Sequence, residues 1–124
     1  MSATKSIVIR GATVVNPDAV FEADVRVVGA LIDAVGDALE GDIVLDGKGC
    51  YVSSGFVDLH THLREPGKEE AETIESGSRA AALGGYTAVV AMPNTDPAQD
   101  NVATVRFVRE QGIKANLCEV MPSG

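Results

Sequence analysis

The chain has 124 residues, 45% of them apolar and 23% charged, enough for an ordinary domain with a real core. Ten basic against eighteen acidic side chains leave a net charge of −8, which argues against nucleic acid or an anionic membrane surface as a partner. No apolar run approaches the roughly 18 residues of a membrane span, and the start, MSATKSIVIRGATVV, lacks the continuous apolar core of a secretory signal.

Residues 1–52 read as a small all-β unit. SIVIRGATVV holds two apolar runs around Arg10-Gly11, and ADVRVVGALIDAVG repeats the pattern with Gly29 and Gly36 as breaks. DIVLDGKGCYV does so again, with Asp46-Gly47 as a turn signal. From about Phe56 the rhythm changes. FVDLHTHL reads as a strand. EEAETIESGSRAAALGG reads as a helix capped by Thr73, with Glu75 in its first turn and Gly84-Gly85 at its end. Its face of Ile74, Gly77, Ser78 and Ala81 is small, so this helix can lie close on a sheet. YTAVVAMPN reads as a strand. DNVATVRFVREQGI is a helix with Asp100 or Asn101 as cap and Gly112 as stop, and KANLCEVMPSG is a third strand-like run. The order β-α-β-α-β predicts an α/β fold with parallel strands and right-handed crossovers. Cys50 and Cys118 lie far apart and in no CxxC pattern, so both are expected as reduced, packed thiols of a cytoplasmic protein.

In FVDLHTHLREPG, Asp58, His60, His62 and Arg64 alternate with Val57, Leu59, Thr61 and Leu63. Parallel strands are normally covered on both faces. A polar row therefore belongs where a strand lines the mouth of a barrel or cleft, and in a β/α barrel that mouth is at the carboxyl ends of the strands. Residues i and i+2 of a strand project to one side with Cα atoms about 6.6 Å apart. Two imidazoles at that spacing can swing onto one ion. His60 and His62 are the two histidines of the sequence, and the competing reading is a chance pair on a polar face. Asp58, deeper on the same side, either orients a histidine or is satisfied by backbone groups. Arg64 at the rim is a bidentate partner for a substrate carboxylate or a surface arginine paired with Glu65 or Glu69; both stay open. Asn94, just after Met92-Pro93, is placed to donate to a ligand beside the first strand or is an ordinary turn asparagine. Ser123 reads as a turn residue, and Glu119 receives no role.

The segment GFVDLHTHLREPGKEEAETIESGSRAAALGGYTAVVAMPNTDPAQD resembles the first barrel segment of the dihydroorotase family, in the amidohydrolase superfamily. The conjunction of DxHxHxREPG, the SGSRAAALGG helix and MPNT-x-P carries the likeness, which runs through residues 50–124. Allantoinase and hydantoinase share the HxH but usually differ around the arginine and around MPN. Ser54-Gly55 stands where the family often has Pro-Gly, a change that only loosens the entry to the strand.

The resemblance implies a (β/α)8 TIM-type barrel, incomplete as given. Residues 53–124 would be its first three βα units, and residues 1–52 the amino-terminal part of a small β-sandwich side domain. It implies His60 and His62 as zinc ligands, His62 and Arg64 against the substrate, and Arg64 and Asn94 on the substrate carboxylate. The activity implied is zinc-dependent cyclic amide hydrolysis, interconverting dihydroorotate and N-carbamoyl-aspartate in cytoplasmic pyrimidine synthesis. The partner is thus a small molecule; homo-oligomerisation and association with other pyrimidine-pathway enzymes both stay open. A barrel takes about 250 residues, and a catalytic zinc usually about three protein ligands. The remaining ligands and the catalytic aspartate are therefore expected beyond Gly124. No catalytic acid or base is assigned within the chain, which alone is expected to be inactive and to aggregate or fold poorly. The alternatives are an allantoinase- or hydantoinase-type cyclic amidase and a non-catalytic, dihydroorotase-like scaffold subunit. The intact HxH and Arg64 speak against the scaffold.

Overall fold

A computed structural model describes residues 4–124. The chain divides into two compact units, one ending at Ser54 and the other spanning Gly55–Gly124.

The first unit is organised by one long strand, β1 (Ser6–Val15). It pairs antiparallel with β2 (Val20–Val28), which pairs antiparallel with β3 (Leu31–Gly36). On its other side β1 pairs in parallel with β4 (Ile43–Asp46) and then with β5 (Tyr51–Ser53). These residues form one five-stranded sheet. Arg10-Gly11, which suggests a break in the sequence, is instead a register shift inside β1 between Ile9 and Ala12. The displaced Gly11 N–H is not lost to the fold: it donates to Oδ1 of Asp24 at 2.8 Å. Asp24 is buried, with Leu39 N–H on its other oxygen at 3.1 Å and the Arg10 guanidinium at 3.6 Å. A buried carboxylate with charge-assisted donors on both oxygens escapes most of its desolvation cost. Val14, Ala23 and Val25 pack together beside Val52. Cys50 and Cys118 are free, but Cys50 is exposed rather than packed. It sits in the turn before β5, where its backbone carbonyl accepts from Thr13 N–H and its side chain is left outward.

The second unit runs β6 (Phe56–Thr61), α1 (Ile74–Leu83), β7 (Tyr86–Ala91), α2 (Val102–Ala115), β8 (Glu119–Pro122). The three strands are parallel in the order β6-β7-β8, as the β-α-β-α-β pattern predicts. Thr73 caps α1 with a reciprocal capping box: its side chain accepts from Ser76 N–H, and Ser76 Oγ accepts from Thr73 N–H. Ile74, Gly77 and Ser78 form the buried face of α1. Leu63, Ile74, Val89, Ala91, Val108 and Val120 make the core between helices and sheet. Among the described residues no helix is long and apolar enough to cross a membrane.

Asn101 caps α2, accepting from Thr104 N–H at 3.0 Å. Gly112 does not stop this helix, which continues to Ala115 and ends at a left-handed Asn116. Gly112 is buried, and a Cβ there would lie 2.6 Å from Cβ of Val120. Its smallness is thus a packing requirement that lets α2 settle on β8.

Two measurements check this architecture. Gly112→Ala in an unconstrained helix gains about 1 kcal/mol of propensity, whereas overpacking costs about 1–3 kcal/mol. Chemical denaturation is expected to show net destabilisation; a stabilised variant would contradict the close contact. In the first unit, Asp42 accepts from the Ser6 amide and hydroxyl, both at 2.8 Å. The Ser6 N–H, then its hydroxyl, hold the Asp42 carboxyl below the usual aspartate range. A lowered carboxylate contributes above its ordinary range and loses that contribution as pH falls through the lowered value. Hydrogen-exchange protection of the Ser6 amide should fade only there; protection unchanged in strong acid would contradict the bond.

Candidate functional site

The candidate residues gather where β6 and β7 end. β6 stops at Thr61, so Asp58 and His60 lie in the strand, whereas His62 and Arg64 lie in the segment just after it. Pairing nevertheless continues past the strand, since Met92 N–H donates to the Thr61 carbonyl at 2.9 Å. That contact sets the two segments side by side and brings residues of one opposite residues of the other.

His60 and His62 converge. Their Nε2 atoms are 3.2 Å apart, with ring centroids at 4.9 Å and the rings inclined at 65°. His62 Nδ1 lies 2.8 Å from Oδ1 of Asn94. A carbonyl oxygen only accepts, so Nδ1 carries the proton and Nε2 of His62 keeps its lone pair. With its proton on Nε2, His60 donates to that lone pair. The same spacing suits a shared ion. Two nitrogens each about 2.0–2.1 Å from a tetrahedral zinc lie about 3.3–3.4 Å apart. Shifting the His60 proton to Nδ1 would turn both lone pairs toward one centre, and the Asn94 amide behind His62 is the kind of outer contact that fixes a ligand imidazole. The pair therefore fits zinc as two of its donors. Among the described residues no cluster of three or more His, Cys, Asp or Glu side chains could hold a metal.

Asp58 takes the blander of its two roles. Its Oδ1 accepts from the His60 backbone N–H at 2.9 Å, not from an imidazole. Paired in register with core Val89, it lies on the helix-facing side of β6, not in the row with the histidines that the alternation suggests. Arg64 is half-buried and, among the described residues, forms no ion pair. The acidic neighbours that could have claimed it are engaged elsewhere. Glu65 Oε2 accepts from Ile74 N–H at 2.8 Å, at the positive end of α1. Glu69 accepts from Gly67 N–H at 2.9 Å, and that bond holds its carboxyl below the usual glutamate range. Asn94 offers its Oδ1 to His62, leaving its two Nδ2–H groups for a ligand. Ser123 caps the end of β7, its N–H and Oγ–H both donating to the Ala91 carbonyl.

Gln99 was not singled out by the sequence. It is 1% exposed; its Nε2 donates to the Met92 carbonyl at 2.8 Å and its backbone N–H to the Pro93 carbonyl at 3.0 Å. It ties the segment bearing Asn94 into a closed loop. A loop glutamine has no periodicity to betray its burial, so no local signal could have found it.

A family model described as dihydro-orotase-like matches residues 49–123. The dihydroorotase of Bacillus subtilis (strain 168) is 50% identical over 103 residues, covering 82% of this chain and 24% of that protein. Among solved structures, the L-hydantoinase (dihydropyrimidinase) from Arthrobacter aurescens is similar with a TM-score of 0.74 and 26% identity, over 85% of this chain and 24% of that one. A D-aminoacylase, whose structure addresses its binuclear metal centre, is similar with a TM-score of 0.51 and 34% identity, over 68% of this chain and 18% of its own. The chain spans about a quarter of the length of the curated relatives it matches.

The His62–Asn94 contact has a spectroscopic consequence. In metal-free protein, at a pH where both rings are neutral, imidazole 15N shifts should report His62 as the Nδ1–H tautomer. Asn94→Ala removes the acceptor and should shift His62 substantially toward Nε2–H; an unchanged tautomer would contradict the assignment.

Proposed function

This chain belongs to the dihydroorotase-like family, and from that premise we propose that it carries zinc- and carboxylate-binding elements of a cyclic amidohydrolase interconverting dihydroorotate and N-carbamoyl-aspartate. The observation that carries this reading is the convergence of His60 and His62 to 3.2 Å at the carboxyl end of a parallel sheet, with Asn94 behind His62. Ligands of open α/β sheets and barrels bind at that end.

His60 and His62 would hold the zinc through Nε2, as two of its donors. When bound, zinc supplies Lewis acidity that polarises a ring carbonyl and makes hydroxide accessible near neutral pH. The work of this chain is orientation. The Arg64 guanidinium, free of a carboxylate of its own, receives the substrate carboxylate in a fork. Asn94 donates to it through Nδ2 while its Oδ1 keeps His62 in the Nδ1–H tautomer. Fixing the carboxylate places the ring amide beside the imidazole pair and removes rotational freedom from the reaction. Protonation of the leaving nitrogen needs a general acid, a role assigned to no residue here.

We assign residues 53–124 to the first three βα units of a (β/α)8 barrel and residues 1–52 to the amino-terminal part of a small β-sandwich side domain. The parallel order β6-β7-β8 with α1 and α2 as crossovers supports the first assignment, and the all-β make-up of the first unit supports the second. A cytoplasmic place in pyrimidine synthesis is part of the same reading. The likeness to hydantoinases supports an alternative cyclic-amide substrate, but the 50% identity to a dihydroorotase favours dihydroorotate.

The full-length protein should turn over dihydroorotate in preference to allantoin and hydantoins. His60→Ala should lower zinc content and turnover together; wild-type values of both would overturn the metal assignment. Arg64→Met removes hydrogen bonds to a charged group, each about 1.5–3 kcal/mol. KM for dihydroorotate should rise about 10- to 100-fold, and an unchanged KM would remove Arg64 from the carboxylate site.

A further inference from the structure

The segments carrying Arg64 and Asn94 stay paired well beyond their strands. Met92 N–H meets the Thr61 carbonyl, Asn94 meets His62, and Asp96 N–H donates to the Pro66 carbonyl at 3.0 Å. At the far end of this pairing is Gly67. It adopts φ +99°, a conformation that disfavours side chains, and a Cβ there would lie 2.1 Å from the Asp96 carbonyl oxygen and 2.7 Å from its Cβ. The obstructing carbonyl is backbone, so no rotamer change relieves it. Any residue other than glycine must part the two segments by roughly an ångström. Glu69 holds the Gly67 peptide in place through its N–H.

We propose that Gly67 is a positioning residue: its missing side chain lets its segment seat on the Asp96 peptide, and that seating keeps Asn94 within reach of His62. The His62–Asn94 bond at 2.8 Å does not survive a shift of that size. The kinetic consequence rests on the carboxylate-binding role given above to Asn94 and Arg64; the hydrogen-bond consequence does not.

The test uses the full-length protein and two readouts. The first is the 15N tautomer signature of His62 in metal-free protein. The second is KM and kcat for dihydroorotate in the zinc-loaded enzyme. Gly49→Ala is the control, because Gly49 also has a positive φ, +78°, but a Cβ there meets nothing within 4 Å. Gly67→Ala should lose the His62 Nδ1–H signature and raise KM about 10-fold or more, with kcat less affected. A misplacement of about 1 Å can cost up to about 100-fold. Gly49→Ala should do neither. A Gly67→Ala protein that keeps the wild-type His62 signature overturns the proposal. If the protein does not act on dihydroorotate at all, the functional reading fails and the tautomer readout still decides the role of Gly67. If Gly67→Ala does not fold, Glu69→Ala, which releases the Gly67 peptide without adding atoms, decides instead. A weakened His62 signature supports the proposal and an unchanged one overturns it.

Discussion

The parallel pairing of β6 with β7 does not end with the strands, and the site depends on that extension. Two parallel strands release their chains at the same end of the sheet, and the ladder itself does nothing to hold the released segments together. Here the bond from Met92 N–H to the Thr61 carbonyl carries the pairing one step further. The His62–Asn94 side-chain bond and the Asp96–Pro66 backbone bond then continue it outward. Two imidazoles and an amide are thereby delivered to one small region, His62 and Asn94 from segments outside the strands. Buried Gln99 supplies the stiffness from behind, closing the Asn94 segment on the carbonyls of Met92 and Pro93.

The acidic residues around this region are arranged so as not to interfere with it. In a chain of net charge −8, an arginine beside REPGKEE would ordinarily be neutralised by its neighbours. Glu65 instead meets the first amide of α1, and Glu69 meets the Gly67 amide. Both carboxylates serve backbone donors that need partners. Among the described residues, neither carboxylate pairs with the Arg64 guanidinium, although both are its near neighbours in the chain.

What could be read from the sequence was what local physics decides. The Thr73 and Asn101 caps and the small face of α1 depend on residues within a turn of each other, and they stand where the pattern puts them. Glycine meant different things in different places. Gly84 ends a helix, but Gly112 is an approach point whose need for smallness comes from Val120 on the next strand. Arg10-Gly11 resembled a turn because the signal for a bulge is the distant Asp24 that satisfies it. The period-two row identified His60 and His62 as a pair, yet the strand stops between them. Asn94 was legible as a polar residue at a strand end, but its bond to a histidine 32 residues earlier was not. Contacts that span such distances leave no local trace.

The fold gathers the imidazole pair, with the two Nε2 atoms 3.2 Å apart. Ordering a side chain typically removes up to about 2 kcal/mol of rotamer entropy, and a donor set assembled at the moment of capture would meet that penalty then. Here it is met during folding, by a backbone bond at Thr61 and an amide on His62. An ion taken up by this pair, as proposed above, would therefore meet two imidazoles whose spacing the fold has already set.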